Sequence, residues 1–359
     1  MEPARAAYRI AIGLCLAGAA AAAETPQEWL TRMENALASR NYRGVFVHEH
    51  AGQTETLRIV HRVADGAVEE RIISLDGSAR EFIRRGGELI CYLPDQRLVL
   101  VEQSQDSGLL LAELRRLDVA ASGQYRINEL PGTRVSGRDA HVIAVEPRDR
   151  FRYGYRLWID ETSAMPLKTQ LRDAHGEVVE QIVFTELTLP SQVSDALLAA
   201  QTDATGFRWQ RHMVASSAPV VDVEQPGAWA ASDLPPGFRM TMRATQTMPG
   251  SSSPVTHLVF SDGLASVSVF LEQGVPAANG AGEAESGAKP AENDMTRVGP
   301  SSAYSTSGKG YRVTAIGEVP PDTVRAIASS MLSNPPRTAP RAPTARPGPG
   351  AGPAGAGRR

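Results

Sequence analysis

The chain has 359 residues, 37 Lys and Arg against 40 Asp and Glu, a formal net charge of −3 and two cysteines. This length permits two domains, and the acidic balance argues against nucleic acid as a partner. Arg5 and Arg9 precede an apolar run from Ile10 to Ala21 that ends in Ala21-Ala22-Ala23, the pattern of a secretory signal peptide over residues 1–23. The run is too short to span a bilayer comfortably, and Leu14 stands before Cys15 where a lipoprotein signal needs a small residue. The expectation is a soluble, exported chain in the periplasm. Loss of Cys15 leaves Cys91 with no intrachain disulfide partner, and its apolar neighbours mark it as a small core residue.

A domain is expected over 24–189. Thr25-Pro26-Gln27-Glu28 reads as a capping box with Pro in the first turn. Trp29, Leu30, Met33, Ala36 and Leu37 follow at helical spacing, so an amphipathic helix reaches about Arg40. Strands are predicted over 44–50, 54–63, 67–74, 80–85, 88–93 and 97–101, then a short helix over 109–117. Further strands are predicted over 141–146, 153–160, 167–172 and 178–187. In 153–160, Tyr153, Tyr155, Leu157 and Ile159 alternate with Gly154, Arg156, Trp158 and Asp160. Turn signals such as Ala51-Gly52, Asp76-Gly77 and Gly86-Gly87 separate the strands, which implies an antiparallel meander. So many twisted strands curl, and two helices can cover only one face. The predicted fold is α+β: a curved antiparallel half-barrel over helices, able to enclose an apolar ligand.

Residues 190–228 read as a connector with anchors at Phe207 and Trp209. A small α+β domain over 229–332 opens with Leu234-Pro235-Pro236-Gly237-Phe238. Its predicted strands are 257–261, 265–271, 303–307 and 311–317, and Pro320-Pro321-Asp322 starts a helix ending near Leu332. A loop interrupts it at 275–294. The tail, 333–359, is Pro, Ala, Gly and Arg and is expected to be disordered.

Chemistry is scarce. His48-Glu49-His50 is the best metal candidate. A tight turn at Ala51-Gly52 would set His48 beside Glu55 and His61 beside Tyr42, which puts His61 roughly 20 Å from His48 along the strand. His61 cannot complete a site, so no metal is expected. There is no Gly-x-Ser-x-Gly, and Ser307-Gly308-Lys309-Gly310 lacks phosphate-loop spacing. No catalytic group and no cofactor are expected. Arg84, Arg85, Arg148, Arg150, Arg152 and Arg156 could meet phosphate or carboxylate.

The order and spacing of several short stretches identify a resemblance over about residues 26–332. They include Arg80-Glu81-Phe82-Ile83-Arg84-Arg85-Gly86 and Arg152-Tyr153-Gly154-Tyr155-Arg156-Leu157-Trp158-Ile159-Asp160. Met165-Pro166-Leu167, Phe260-Ser261-Asp262-Gly263-Leu264 and Gly317-Glu318-Val319-Pro320-Pro321 continue the series. The chain resembles the RseB/MucB family, periplasmic regulators of the envelope-stress sigma factor. The resemblance implies a first domain like the LolA and LolB lipoprotein carriers and no enzyme activity. It implies binding to the periplasmic segment of an RseA/MucA-type anti-sigma factor, shielding it from a protease, with lipid or a lipopolysaccharide fragment promoting release. The implied lipid site is Phe46, Ile72, Phe82, Tyr155 and Leu157, with Arg84, Arg85 and Arg152 near its mouth. The implied partner surface is Phe260, Asp262, Gly263 and Leu264. The lipid's identity and any homo-oligomer stay open, as do the roles of the 275–294 insert and the Arg-rich tail. A periplasmic lipid or lipoprotein carrier with no signalling role is the alternative.

Overall fold

The computed structural model describes residues 24–64, 66–103, 123–212, 233–247, 254–273 and 294–333. The expected leader, the helix over 109–117, part of the connector, the 275–294 insert but for its last residue, and the tail after Ser333 lie outside the described residues. No helix among the described residues is long and apolar enough to cross a membrane.

Helix α1 (Pro26–Ser39) begins with the expected capping box. The Glu28 amide donates to Oγ1 of Thr25, and the Thr25 amide donates to the Glu28 carboxylate at 2.6 Å. Trp29, Leu30, Met33, Ala36 and Leu37 are its buried face. They pack on a sheet that the chain builds in two runs. The first run is β1 (Tyr42–His50), β2 (Gln53–Ala64), β3 (Ala67–Ser74), β4 (Glu81–Arg85), β5 (Glu88–Leu93) and β6 (Leu98–Gln103). The second is β7 (Tyr125–Val135), β8 (Arg138–Pro147), β9 (Gly154–Asp160), β10 (Pro166–Arg172) and β11 (Val178–Thr188). With β12 (Arg208–His212) they give an open twelve-stranded sheet ordered β12-β6-β5-β4-β3-β2-β1-β11-β10-β9-β8-β7. Two antiparallel meanders therefore meet where β1 pairs with β11, and only β12 runs parallel to its neighbour. A single continuous meander would have paired β6 with β7.

The β1–β2 turn is Ala51-Gly52 with φ of 51° and 75°, the two positive values a two-residue hairpin favours. It sets His48 opposite Glu55 and Tyr42 opposite His61, as the tight turn predicts. One face of the sheet then carries Tyr42, Phe46, Leu57, Ile59, Ile72, Ile143, Leu157, Ile182 and Phe184, and these close on α1 as one apolar core. The alternation read in 153–160 is visible here: Leu157 and Ile159 are fully buried on this face.

The connector is a strap on the opposite face. It includes the short helix α2 (Asp195–Leu198). Val193, Leu197 and Leu198 pack on Val60, and Ala204 and Phe207 pack on Ile83, Tyr92, Val99 and Val101. Arg71 pairs with Glu81 at 2.6 Å, both buried, and also donates to the carbonyl of Leu197. The carboxylate of Glu81 accepts the amides of Gln201 at 3.0 Å and Thr202 at 2.8 Å. Burial works to raise the Glu81 pKa, but the hydrogen bonds from Thr202, Gln201 and Arg71 outweigh it, so the net shift is downward. A carboxylate whose folded pKa lies below its unfolded value stabilises fully above the unfolded value, and loses that contribution as pH falls through the folded one. Acid should therefore loosen the strap first at 201–202. Hydrogen exchange of the Gln201 and Thr202 amides should lose protection as pH falls below about 4, relative to intrinsic rates. Unchanged protection through that range would overturn this reading. Glu81→Gln should show the same loss at neutral pH.

The second unit is a six-stranded antiparallel sheet ordered β13-β14-β15-β18-β17-β16. Its strands are β13 (Arg239–Thr247), β14 (Pro254–Ser261), β15 (Ser266–Gln273), β16 (Asp294–Val298), β17 (Ser301–Gly308) and β18 (Tyr311–Gly317). Helix α3 (Pro321–Ser333) buries Val324, Ile327, Ala328 and Met331 against Leu258, Phe260, Val269 and Val313.

Candidate functional site

The seam between the two units is built around Arg152. This guanidinium is fully buried. It grips Asp149 with both ends of its fork, at 3.0 and 2.9 Å, and donates to the carbonyl of Pro236 at 2.5 Å. Its other nitrogen pairs with Asp262, also fully buried, from the second unit. Tyr125 donates its hydroxyl to Asp262 at 3.1 Å, and burial together with that carboxylate pushes the phenol pKa far up. The rings of Tyr125 and Phe238 flank the guanidinium at 5.6 and 5.2 Å. The tight Ser261–Ala265 turn aims these groups. Oδ1 of Asp262 accepts the amides of Leu264 and Ala265, which leaves Oδ2 for Arg152 and Tyr125. Leu264 packs into the apolar core of the first unit. Thr323 donates to the carbonyl of Phe151, and Arg150 pairs with Asp322 at 3.4 Å, so α3 also touches the seam.

The candidate partner residues are therefore mostly engaged within the chain. Phe260 lies in the second core and Asp262 in the seam. Leu264 plugs the first unit, and Gly263 alone of the four is exposed at the turn. Arg152 sits in this seam and not at a pocket mouth. Tyr125, Pro236 and Phe238 were missed as seam residues. The signal for the last two was Leu234-Pro235-Pro236-Gly237-Phe238, where Gly237 has φ +81° and a Cβ would meet Cγ of Gln124 at 2.7 Å.

The candidate lipid residues separate by face. Phe46, Ile72 and Leu157 are core side chains under α1. Arg84 and Arg85 are consecutive on β4 and point to opposite faces. Arg84 is buried on the core face, whereas Arg85 is exposed on the other and pairs with Glu69 at 2.6 Å, so Arg85 is not at the mouth either. Beyond the core, the same face continues as a half-buried apolar row, Phe82, Cys91 and Leu100, directly opposite one another on β4, β5 and β6. Burial pushes the Cys91 thiol pKa up, which keeps it unreactive. A separate cavity of about 410 Å³ lies at the ends of β8, β9 and β10 and is lined by Tyr155, Arg148, Arg156 and Arg172 among others. Of the candidate lipid residues, Tyr155 lines it.

This is the architecture of a two-lobed binding protein. Comparison with known proteins gives the family. The MucB/RseB N-terminal domain matches residues 25–202, and the MucB/RseB C-terminal domain matches 223–332. The chain belongs to the MucB/RseB family, which is a family of regulatory binding proteins and not of enzymes. It is 34% identical over 324 residues to the "Sigma factor AlgU regulatory protein MucB" of Pseudomonas aeruginosa, covering 89% of this chain and 95% of that one. It is 26% identical over 311 residues to the "Sigma-E factor regulatory protein RseB" of Escherichia coli K12, covering 84% and 89%. A solved structure of MucB in complex with MucA(peri) matches with a TM-score of 0.63 at 30% identity, covering 88% of this chain and all of that one.

Proposed function

We propose that this chain is a periplasmic negative regulator of an envelope-stress sigma factor. It binds the periplasmic segment of an RseA/MucA-type anti-sigma factor, shields that segment from proteolysis, and releases it when lipid occupies the first unit. The observation that carries the reading is the likeness, across both units, to MucB crystallised with MucA(peri). The row Phe82, Cys91, Leu100 supports the lipid part, because acyl chains want apolar surface. Lipid in the first unit can act on a segment held partly by the second only by changing how the two units sit together. A ligand shifts such an equilibrium only by its differential affinity, and the effect is reciprocal.

The test is calorimetric titration of a synthetic anti-sigma periplasmic segment into the chain, with and without a lipopolysaccharide fragment. Lipid should weaken the segment roughly 5–150-fold, and the segment should weaken lipid by the same factor. Absence of segment binding in both conditions overturns the regulator reading. Equal segment affinity in both conditions overturns lipid-driven release and leaves shielding in place.

A further inference from the structure

Three metal-binding side chains, His48, His50 and Glu55, meet near the tip of the β1–β2 hairpin, and a fourth, Glu180, reaches His48. His48 and His50 are two apart on one strand and share its face. Their rings stack at 4.5 Å. Glu55 stands directly opposite His48 on β2, and Glu180 directly opposite His50 on β11. The ligand atoms of His48, His50 and Glu55 all lie within 4.8 Å of one another, and Nε2 of His48 is 2.5 Å from Oε1 of Glu180. All four side chains are half-buried, open enough for an ion to enter and dry enough to strengthen its binding. His61 shares the face but lies at the far end of the strand, paired with Glu70, so it takes no part.

We propose that His48, His50, Glu55 and Glu180 form a zinc site. Two imidazoles and two carboxylates are a borderline donor set that suits zinc, while calcium and magnesium favour more oxygen ligands. Tetrahedral zinc with bonds of about 2.0–2.1 Å holds neighbouring ligand atoms roughly 3.4 Å apart, so the His48, His50 and Glu55 atoms must draw together and Glu180 must turn in from His48 to complete the set. The donors stand on three hydrogen-bonded strands, and the two-residue turn pins the register of β1 with β2, which makes that part of the frame rigid. Arg80 donates to Oε1 of Glu55 at 2.6 Å and orients that carboxylate from outside. The turn of the second unit rests on the same tip: a Cβ at Gly299 would stand 3.6 Å from Nδ1 of His50. Zinc would therefore stiffen a surface on which the second unit sits.

Two measurements on the untagged full chain, stripped with a chelator, test this. Calorimetry with zinc chloride should find one site. His48→Ala and Glu55→Gln should each weaken it by more than about 100-fold, Arg80→Gln by about 10-fold, the loss of an outer-shell partner, and His175→Ala, on an exposed turn, not at all. Cobalt loaded into the unmutated chain should give the intense visible bands of a tetrahedral nitrogen and oxygen site, a readout that does not depend on any variant folding. A chain that binds no zinc, affinity that survives His48→Ala and Glu55→Gln, or a cobalt spectrum that is octahedral overturns the proposal.

Discussion

Replacing Arg152 with alanine is expected to lower stability by about 3–5 kcal/mol, the usual result of removing one partner from a buried ion pair. The loss comes less from the missing attraction than from what stays behind. Asp262 would remain fully buried with an unpaired negative charge, and Asp149 and the carbonyl of Pro236 would lose donors as well. Asp262→Asn should cost less, because Oδ1 can still accept the amides of Leu264 and Ala265 and Arg152 keeps Asp149, although the new amide NH2 then faces the Arg152 and Tyr125 donors. Since each unit has its own core, the damage should fall on the seam. Thermal unfolding of the parent should show one transition, and that of Arg152→Ala should separate into two. A single transition at the parent's midpoint would show that the pair does not join the units. Restoring an apolar pair at 152 and 262 should recover only part of the loss, because Tyr125 and Asp149 would still lack their partner.

Phe46→Ala is expected to cost about 3–5 kcal/mol in urea unfolding. Phe46 is fully buried on the central strand β1, with the ring of Phe184 tilted against it at 5.6 Å. Phe184 fits there because residue 44 is glycine: a Cβ at that position would lie 2.9 Å from the Phe184 ring and 2.4 Å from the carbonyl of Glu186. Truncating Phe46 therefore opens a void among side chains that cannot slide into it. A residue lining an open ligand pocket would cost much less, because water already reaches it. A loss below about 1 kcal/mol would return Phe46 to the pocket, while the full loss assigns it to the frame beneath the Phe82 row.

Several elements were legible in the sequence because their causes are local. The α1 capping box, the helical spacing of Trp29 to Leu37 and the alternation of β9 depend on neighbours within a few residues. The Ala51-Gly52 turn is equally local, and it fixed the pairing of His48 with Glu55 two strand positions away. Among the described residues, the four strands that the pattern did not predict are β7, β12, β13 and β16, and they are the four sheet edges. An edge strand has a neighbour on one side only and keeps more side chains in water, so its alternation is weak. β7 adds a bulge at Pro131-Gly132, and β13 carries Met and Thr where an inner strand would carry Val and Ile.

Every decisive feature of the site is long-range. Arg152 and Asp262 are 110 residues apart, and in the sequence each looked like a surface group available to a ligand or partner. Burial by the opposite unit converts them into a joint, and no local pattern encodes that. Arg84 and Arg85 read as one basic pair, yet strand alternation and α1 on one face make them a buried residue and an exposed one. His48-Glu49-His50 was visible as a motif, but Glu180 reaches it only because β1 pairs with β11 across 132 residues. The sequence by itself determined the periodicities, the caps, the turns and the family. Only the tertiary structure decided which polar residues face each other, because desolvation and pairing depend on what folds over a side chain and not on its neighbours in the chain.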